Sequence, residues 1–198
     1  MKLLFASDSF KGSLTSEKAN ITLERAARVV FGICDCTKLE IADGGEGTLE
    51  AILGSDSSYE KEIVTVSGPL GEPIEAFYIR KGNQAVVEMA KASGLTLVKE
   101  EDRNPLYTTT EGTGELLRHA LKHGCTDIYV AIGGSATNDG GLGAMTALGY
   151  QFLDAEGNPL AGIGKSLEHV SKIDDSGVME EIKQATFTVM CDVTNPLT

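Results

Sequence analysis

Four acidic or glycine-rich tips each follow an apolar run that reads as a strand. Asp8 follows Lys2–Ala6, Asp43 follows Lys38–Ala42, Gly133-Gly134-Ser135 follows Ile128–Ile132, and Asp192 follows Thr186–Cys191. In a parallel sheet such tips share one edge, the edge where open α/β sheets bind ligands. Carboxylates gathered there repel one another, and a divalent cation removes the conflict; hard oxygen ligands suit Mg²⁺. Lys11, on the same loop as Asp8, is placed to neutralise a transferring phosphoryl group. The plainer reading of each Asp is a turn or capping residue, the commonest task of an Asp after a strand.

The stretch Ile128–Gly149 carries five glycines between Gly133 and Gly143, with Ser135, Thr137, Asn138 and Asp139 among them. Glycines let backbone N–H groups approach an anion ahead of a helix N-terminus, or they form a tight strand-to-helix turn. Helix-end amides are worth only ~1–2 kcal/mol to an anion, enough to dock a phosphate. A catalytic barrier reduction of roughly 8 kcal/mol or more needs metal and lysine as well.

The elements that must position these tips alternate in type. Lys2–Ala6 predicts a strand, and Ser13 or Thr15 caps a helix whose buried face is Ala19, Leu23, Ala26, Ala27 and Val30. A second strand, Lys38–Ala42, then leads to a short helix carrying Leu49, Ile52 and Leu53. Strand–helix–strand–helix predicts an α/β fold with a doubly wound, mostly parallel sheet. The rhythm changes at Lys61–Val66, Ile74–Arg80 and Ala85–Met89, three strands joined by turns without helices. The expected division is therefore 1–58 as the first part of a Rossmann- or flavodoxin-like domain, 59–104 as a β-rich insertion or the start of a second domain, and 105–198 as the α/β continuation. Gly112–Lys122 predicts a helix with Leu116, Leu117, Ala120 and Leu121 inward, Gln151–Leu153 a short strand, and Val178–Lys183 a helical segment.

A formal charge of −12 over 198 residues argues against a nucleic-acid surface or an anionic membrane as partner. The opening residues do not read as a signal peptide, and no apolar run reaches bilayer length. The four cysteines show no CxxC pair, which predicts reduced thiols in a cytoplasmic protein. Several partial motifs carry little. Gly162-Ile163-Gly164-Lys165-Ser166 has Pro159 where a P-loop needs glycine, and Gly112-Thr113-Gly114 lacks the third glycine of a dinucleotide fingerprint. His119 and His123 lack the Glu of a zinc protease, and Ser135 is not in a nucleophile elbow.

Asp8-Ser9-Phe10-Lys11-Gly12-Ser13-Leu14, Ala42-Asp43-Gly44-Gly45-Glu46-Gly47-Thr48 and the run Gly133–Gly141 together resemble the bacterial glycerate kinase family. Glu88–Leu95, Arg103–Leu106, Gly112–Leu116 and Cys191–Leu197 match as well, while Glu111 departs from the pattern. The resemblance covers an N-terminal half, since the family's chains look about twice as long.

It implies ATP-dependent, Mg²⁺-assisted phosphorylation of D-glycerate, with 2-phosphoglycerate the favoured product and a homodimer as a possible assembly. It implies Asp8, Lys11 and Asp192 as catalytic residues, and Asp43 and Asp139 as metal ligands. Phosphate or substrate would be held by Ser9, Phe10, Ser13, Gly44, Gly45, Glu46, Gly47, Thr48, Gly133, Gly134, Ser135, Thr137, Asn138, Gly140, Gly141 and Asn195. Which loop takes ATP and which takes glycerate stays open, as does the base, Asp192 or Asp8. The rival reading is a non-catalytic nucleotide- or phosphate-binding module.

Overall fold

The computed structural model describes residues 1–10, 13–191 and 193. Strand β1 (Lys2–Phe5) leads through the Asp8 loop into α1 (Ser16–Phe31), which Thr15 caps by accepting the Lys18 N–H, as its sequence position predicts. Strand β2 (Asp35–Lys38) pairs parallel with β1. It lies earlier than the Lys38–Ala42 expected from the apolar alternation. Past Lys38 the backbone leaves the ladder for α1: Asn20 donates to the Leu39 carbonyl and the Ile41 N–H donates to the Ser16 hydroxyl. Helix α2 (Thr48–Ser55) follows.

Strands β3 (Glu60–Ser67), β4 (Pro73–Lys81) and β5 (Gln84–Glu88) form the expected antiparallel meander. They are not a separate sheet. The short helix α3 (Ala90–Ser93) and α4 (Glu111–Lys122) carry the chain over to β6 (Asp127–Ala131), which pairs parallel with β5. Helix α5 (Leu142–Ala147) and a small antiparallel pair, β7 (Gln151–Leu153) with β8 (Lys172–Asp174), precede β9 (Thr186–Met190), which pairs parallel with β6. The sheet order is β3-β4-β5-β6-β9, while β1 and β2 form a two-stranded sheet of their own. The described strands thus make a mixed α/β arrangement instead of one doubly wound parallel sheet containing all four tips.

Period-two alternation assigns the two faces of the larger sheet. Ala76, Tyr78, Ala85, Val87, Ile128 and Val130 pack with Leu116, Leu117, Ala120 and Leu121 of α4. On the other face Ile79 and Val86 pack with Leu49 of α2, flanked by Phe77 and Tyr129. The α4 face was fully legible in the sequence. That of α1 was not: Ala19 and Ala27 are buried, but Leu23 and Val30 are exposed, because only two strands lie beneath the helix. Val178–Lys183 is a 3₁₀ turn at Glu180–Gln184, not a regular α-helix. Among the described residues no helix is long and apolar enough to cross a membrane.

Candidate active site

The parallel strands β5, β6 and β9 end on one edge, at Glu88, Ala131 and Met190. The Asp43–Gly47 loop is laid across that edge. The Gly133 N–H donates to the Gly44 carbonyl at 3.0 Å, and a Cβ on Gly133 would stand 2.6 Å from the Gly45 Cα. A Cβ on Gly44 would meet the Met190 carbonyl at 3.0 Å, and Gly44 has φ +89°. These glycines allow two loops and a strand end to touch backbone to backbone.

Beside this junction lies a cleft of about 610 Å³ between the N-terminal end of α1, the 40–50 segment and the α2 face of the larger sheet. Of the residues expected to bind substrate, Ser9, Phe10, Ser13, Glu46 and Gly47 line it. Gly44, Gly45 and Thr48 lie just behind, buried; the Thr48 hydroxyl donates to the Gly45 carbonyl at 2.8 Å. Asp8 and Asp43 are both exposed, and each accepts a hydrogen bond from its own loop, from the Ser9 and Gly45 N–H groups respectively. Lys11, Asp192 and Asn195 lie outside the described residues.

The central glycine loop divides into two parts. Gly133, Gly134 and Ser135 face the junction: Gly134 packs near the Glu46 side chain, and Ser135 forms an antiparallel bridge with Gly94. Thr137, Asn138, Gly140 and Gly141 belong to the other end, near Asp139, and no residue of the whole Gly133–Gly141 run is among those that line the cleft. A Cβ on Gly140 would press on Leu167 at 3.0 Å, and Gly141, with φ +82°, starts α5.

Asp139 differs most from its expected role as a metal ligand. It is 1% exposed and accepts from the Thr110 N–H and hydroxyl and from the Gly141 and Gly143 N–H groups, at 2.8 to 3.2 Å. Protein donors fill its acceptors and join the starts of α4 and α5. Among the described residues no group of three or more His, Cys, Asp or Glu is placed to hold a metal ion.

Two cleft residues, Glu88 and Lys91, are not among those the sequence singles out as binding or catalytic. Glu88, fully buried, accepts from the Gly47 N–H at 3.3 Å and the Leu49 N–H at 3.1 Å. Lys91 stands 3.5 Å from Glu88 and 2.7 Å from Glu50. Burial pushes the Glu88 carboxyl above the usual carboxylate range, and Lys91 partly offsets this. The available signal was an acidic residue closing the apolar run Ala85-Val86-Val87, with a lysine three places on. Glu40, also at the cleft, is pushed up by burial and by Glu17 and Glu50 nearby.

The model of the glycerate kinase family matches residues 3–198. The chain belongs to the glycerate kinase family. It is 46% identical to a glycerate kinase from Bacillus subtilis (strain 168), over 100% of this chain and 52% of the relative. It is 45% identical to the glycerate 2-kinase from Escherichia coli (strain K12), again over 100% of this chain and 52% of the relative. A crystal structure of a protein assigned as glycerate kinase 2 from Salmonella typhimurium LT2 superposes with a TM-score of 0.78 at 46% identity, covering 100% of this chain and 53% of that one. The chain spans about half the length of these glycerate kinase family relatives.

Proposed function

We infer that this chain forms part of an enzyme that transfers the γ-phosphoryl group of ATP to D-glycerate, with 2-phosphoglycerate as product. The observation that carries the reading is the meeting of family motifs at one cleft: Ser9, Phe10 and Ser13 from the first, Glu46 and Gly47 from the second, and, from a third, Glu88 at the end of β5 and Lys91 in α3. In this reading residues 1–58 are the first part of a Rossmann-like domain. Residues 59–104 form a β-rich insertion or the start of a second domain, and residues 105–198 are the α/β continuation.

Phosphoryl transfer asks little covalent chemistry of the protein, so positioning and charge compensation dominate. Asp8 or Asp192 accepts the proton of the glycerate hydroxyl, and Lys11 balances charge on the moving group. The cleft lining contains Glu17, Glu40, Glu46, Glu50, Glu75 and Glu88 against Lys18 and Lys91. A lining of this sign disfavours two bare anionic substrates, which supports a triphosphate that arrives with its cation. Mg²⁺ typically takes one or two carboxylates and fills its remaining positions with water and phosphate oxygens. Asp43 fits that need: it is exposed, and only its Oδ1 is engaged by the Gly45 N–H among the described residues. When bound, the ion neutralises charge on the β- and γ-phosphates.

The test is a coupled assay of the family-length protein with D-glycerate, ATP and Mg²⁺, the product assigned by ³¹P NMR. Turnover to 2-phosphoglycerate is expected, and Lys11→Ala is expected to lower kcat by at least a hundredfold. Saturable ATP binding without turnover would instead support the non-catalytic module.

A further inference from the structure

We propose that Glu88 is a positioning residue that occupies, as an internal anion, the N-terminal end of α2 and so fixes the Gly44–Leu49 backbone at the cleft. The alternation of β5 puts Glu88 on the same face as Val86, at the end of the strand and under α2. Its surroundings there include Leu49, Ile79 and Val86, a place where an aliphatic side chain would avoid the cost of burying a charge. Both carboxylate oxygens are nevertheless hydrogen-bonded. One oxygen accepts from Gly47 and the other from Leu49, and Lys91 supplies the counter-charge.

Helix α2 has no side-chain cap of its own, because Gly47 stands at its N-cap with φ +91°. Glu88 therefore supplies from a neighbouring strand what Ser, Thr or Asp supplies elsewhere from the cap position. The two amides it takes are those a phosphate would use at this helix end. The glycine loop after β2 thus acts through its side chains, Asp43 and Glu46, and through its fixed path, and its helix end is not a phosphate cradle. Glu46 is held in turn by the Thr96 hydroxyl at 2.9 Å. The Glu88 carboxylate also restrains the Lys91 ammonium, which Glu50 grips from α2.

The inference rests on the phosphotransfer reading in its kinetic arm alone. In the wild-type family-length protein, inorganic phosphate at tens of millimolar is expected to leave the Gly47 and Leu49 amide NMR signals in place; phosphate-dependent shifts at both would overturn the proposal. In Glu88→Gln, exchange of these two amides is expected to rise at least tenfold while Leu116 and Leu117 exchange at the wild-type rate. A folded variant with unchanged exchange at Gly47 and Leu49 would also overturn it. If glycerate is the substrate, kcat falls at least tenfold in Glu88→Gln beyond any loss of folded fraction, and Glu88→Asp, too short to reach both amides, does not restore it. Full kcat in either folded variant would remove the positioning role. A wild-type protein that leaves glycerate untouched yet keeps both amides protected would overturn the kinase reading and leave Glu88 at its helix end.

Discussion

The Gly133 amide donates to the Gly44 carbonyl at 3.0 Å, so the loop after β6 and the loop after β2 share a direct backbone contact. A side chain at residue 133 has no room, since its Cβ would lie 2.6 Å from one backbone atom of Gly45 and 3.0 Å from another. Gly133→Ala is expected to destabilise the protein by roughly 1–3 kcal/mol through forced separation of the loops. A urea melt measures the loss. A midpoint equal to wild type would mean the loops part without cost.

Asp139 makes a prediction that separates a structural anchor from a metal ligand. Asp139→Ala leaves the buried Thr110 and Gly143 N–H groups and the half-buried Gly141 N–H without their acceptor, at a cost of about 3 kcal/mol or more. The loss is expected in metal-free buffer and unchanged by added Mg²⁺. A metal ligand would instead give near-normal stability without Mg²⁺ and a weakened response to it.

Asp8 and Asp43 carry the opposite expectation, because both are exposed at the loops after the first two strands. Asp8→Asn and Asp43→Asn are expected to lower kcat for glycerate phosphorylation at least tenfold with thermal midpoints close to wild type. The Asp43 variant should also require more Mg²⁺ for half-maximal rate. Unchanged Mg²⁺ dependence would take Asp43 out of the metal's environment.

Glu88 gives stability a pH dependence of definite sign. Its folded-state pKa is raised, chiefly by burial, with Lys91 lowering and Glu50 raising it. A raised carboxyl favours the folded state in its protonated form. That contribution is full below the ordinary carboxylate pKa and is lost as pH rises through the folded value. Glu40 titrates in the same sense, and Asp56, held down to about 2 by Ser58 and Lys81, acts only at much lower pH. Urea midpoints from mildly acid to neutral pH should therefore decline less steeply in Glu88→Gln than in wild type. Parallel declines would show that Glu88 is not the titrating group.

Local pattern carried much of the fold. The α4 stripe, the alternation in β3–β5 and the apolar run of β6 read directly from the sequence, because the stripe meets one well-filled layer and the inner strands pack on two. Strand β2 ends earlier than its pattern suggests: Leu39 and Ile41 alternate like strand residues, although side chains of α1 decide the path there. The site was legible as a set of loops and less so as roles. Gly133 and Gly44 read as anion binders, and their closeness to partner backbones depends on contacts made across the fold. Asp139 is followed by glycines like a phosphate-loop residue, yet its partners at Thr110 lie 29 positions away in the chain. Glu88 was masked by its strand: periodicity marks a position as inward without saying that a charge there meets two helix amides.

The two-stranded sheet under α1 leaves Val29 86%, Val30 71% and Ile33 100% exposed, with Leu4 on β1 at 64%. An oily flank of this kind is expected to make the 198-residue polypeptide adhesive. Dye uptake and sedimentation that rises with protein concentration are the signs to expect, and a charged replacement at Val29 or Ile33 should relieve both without disturbing the buried layer around Tyr78.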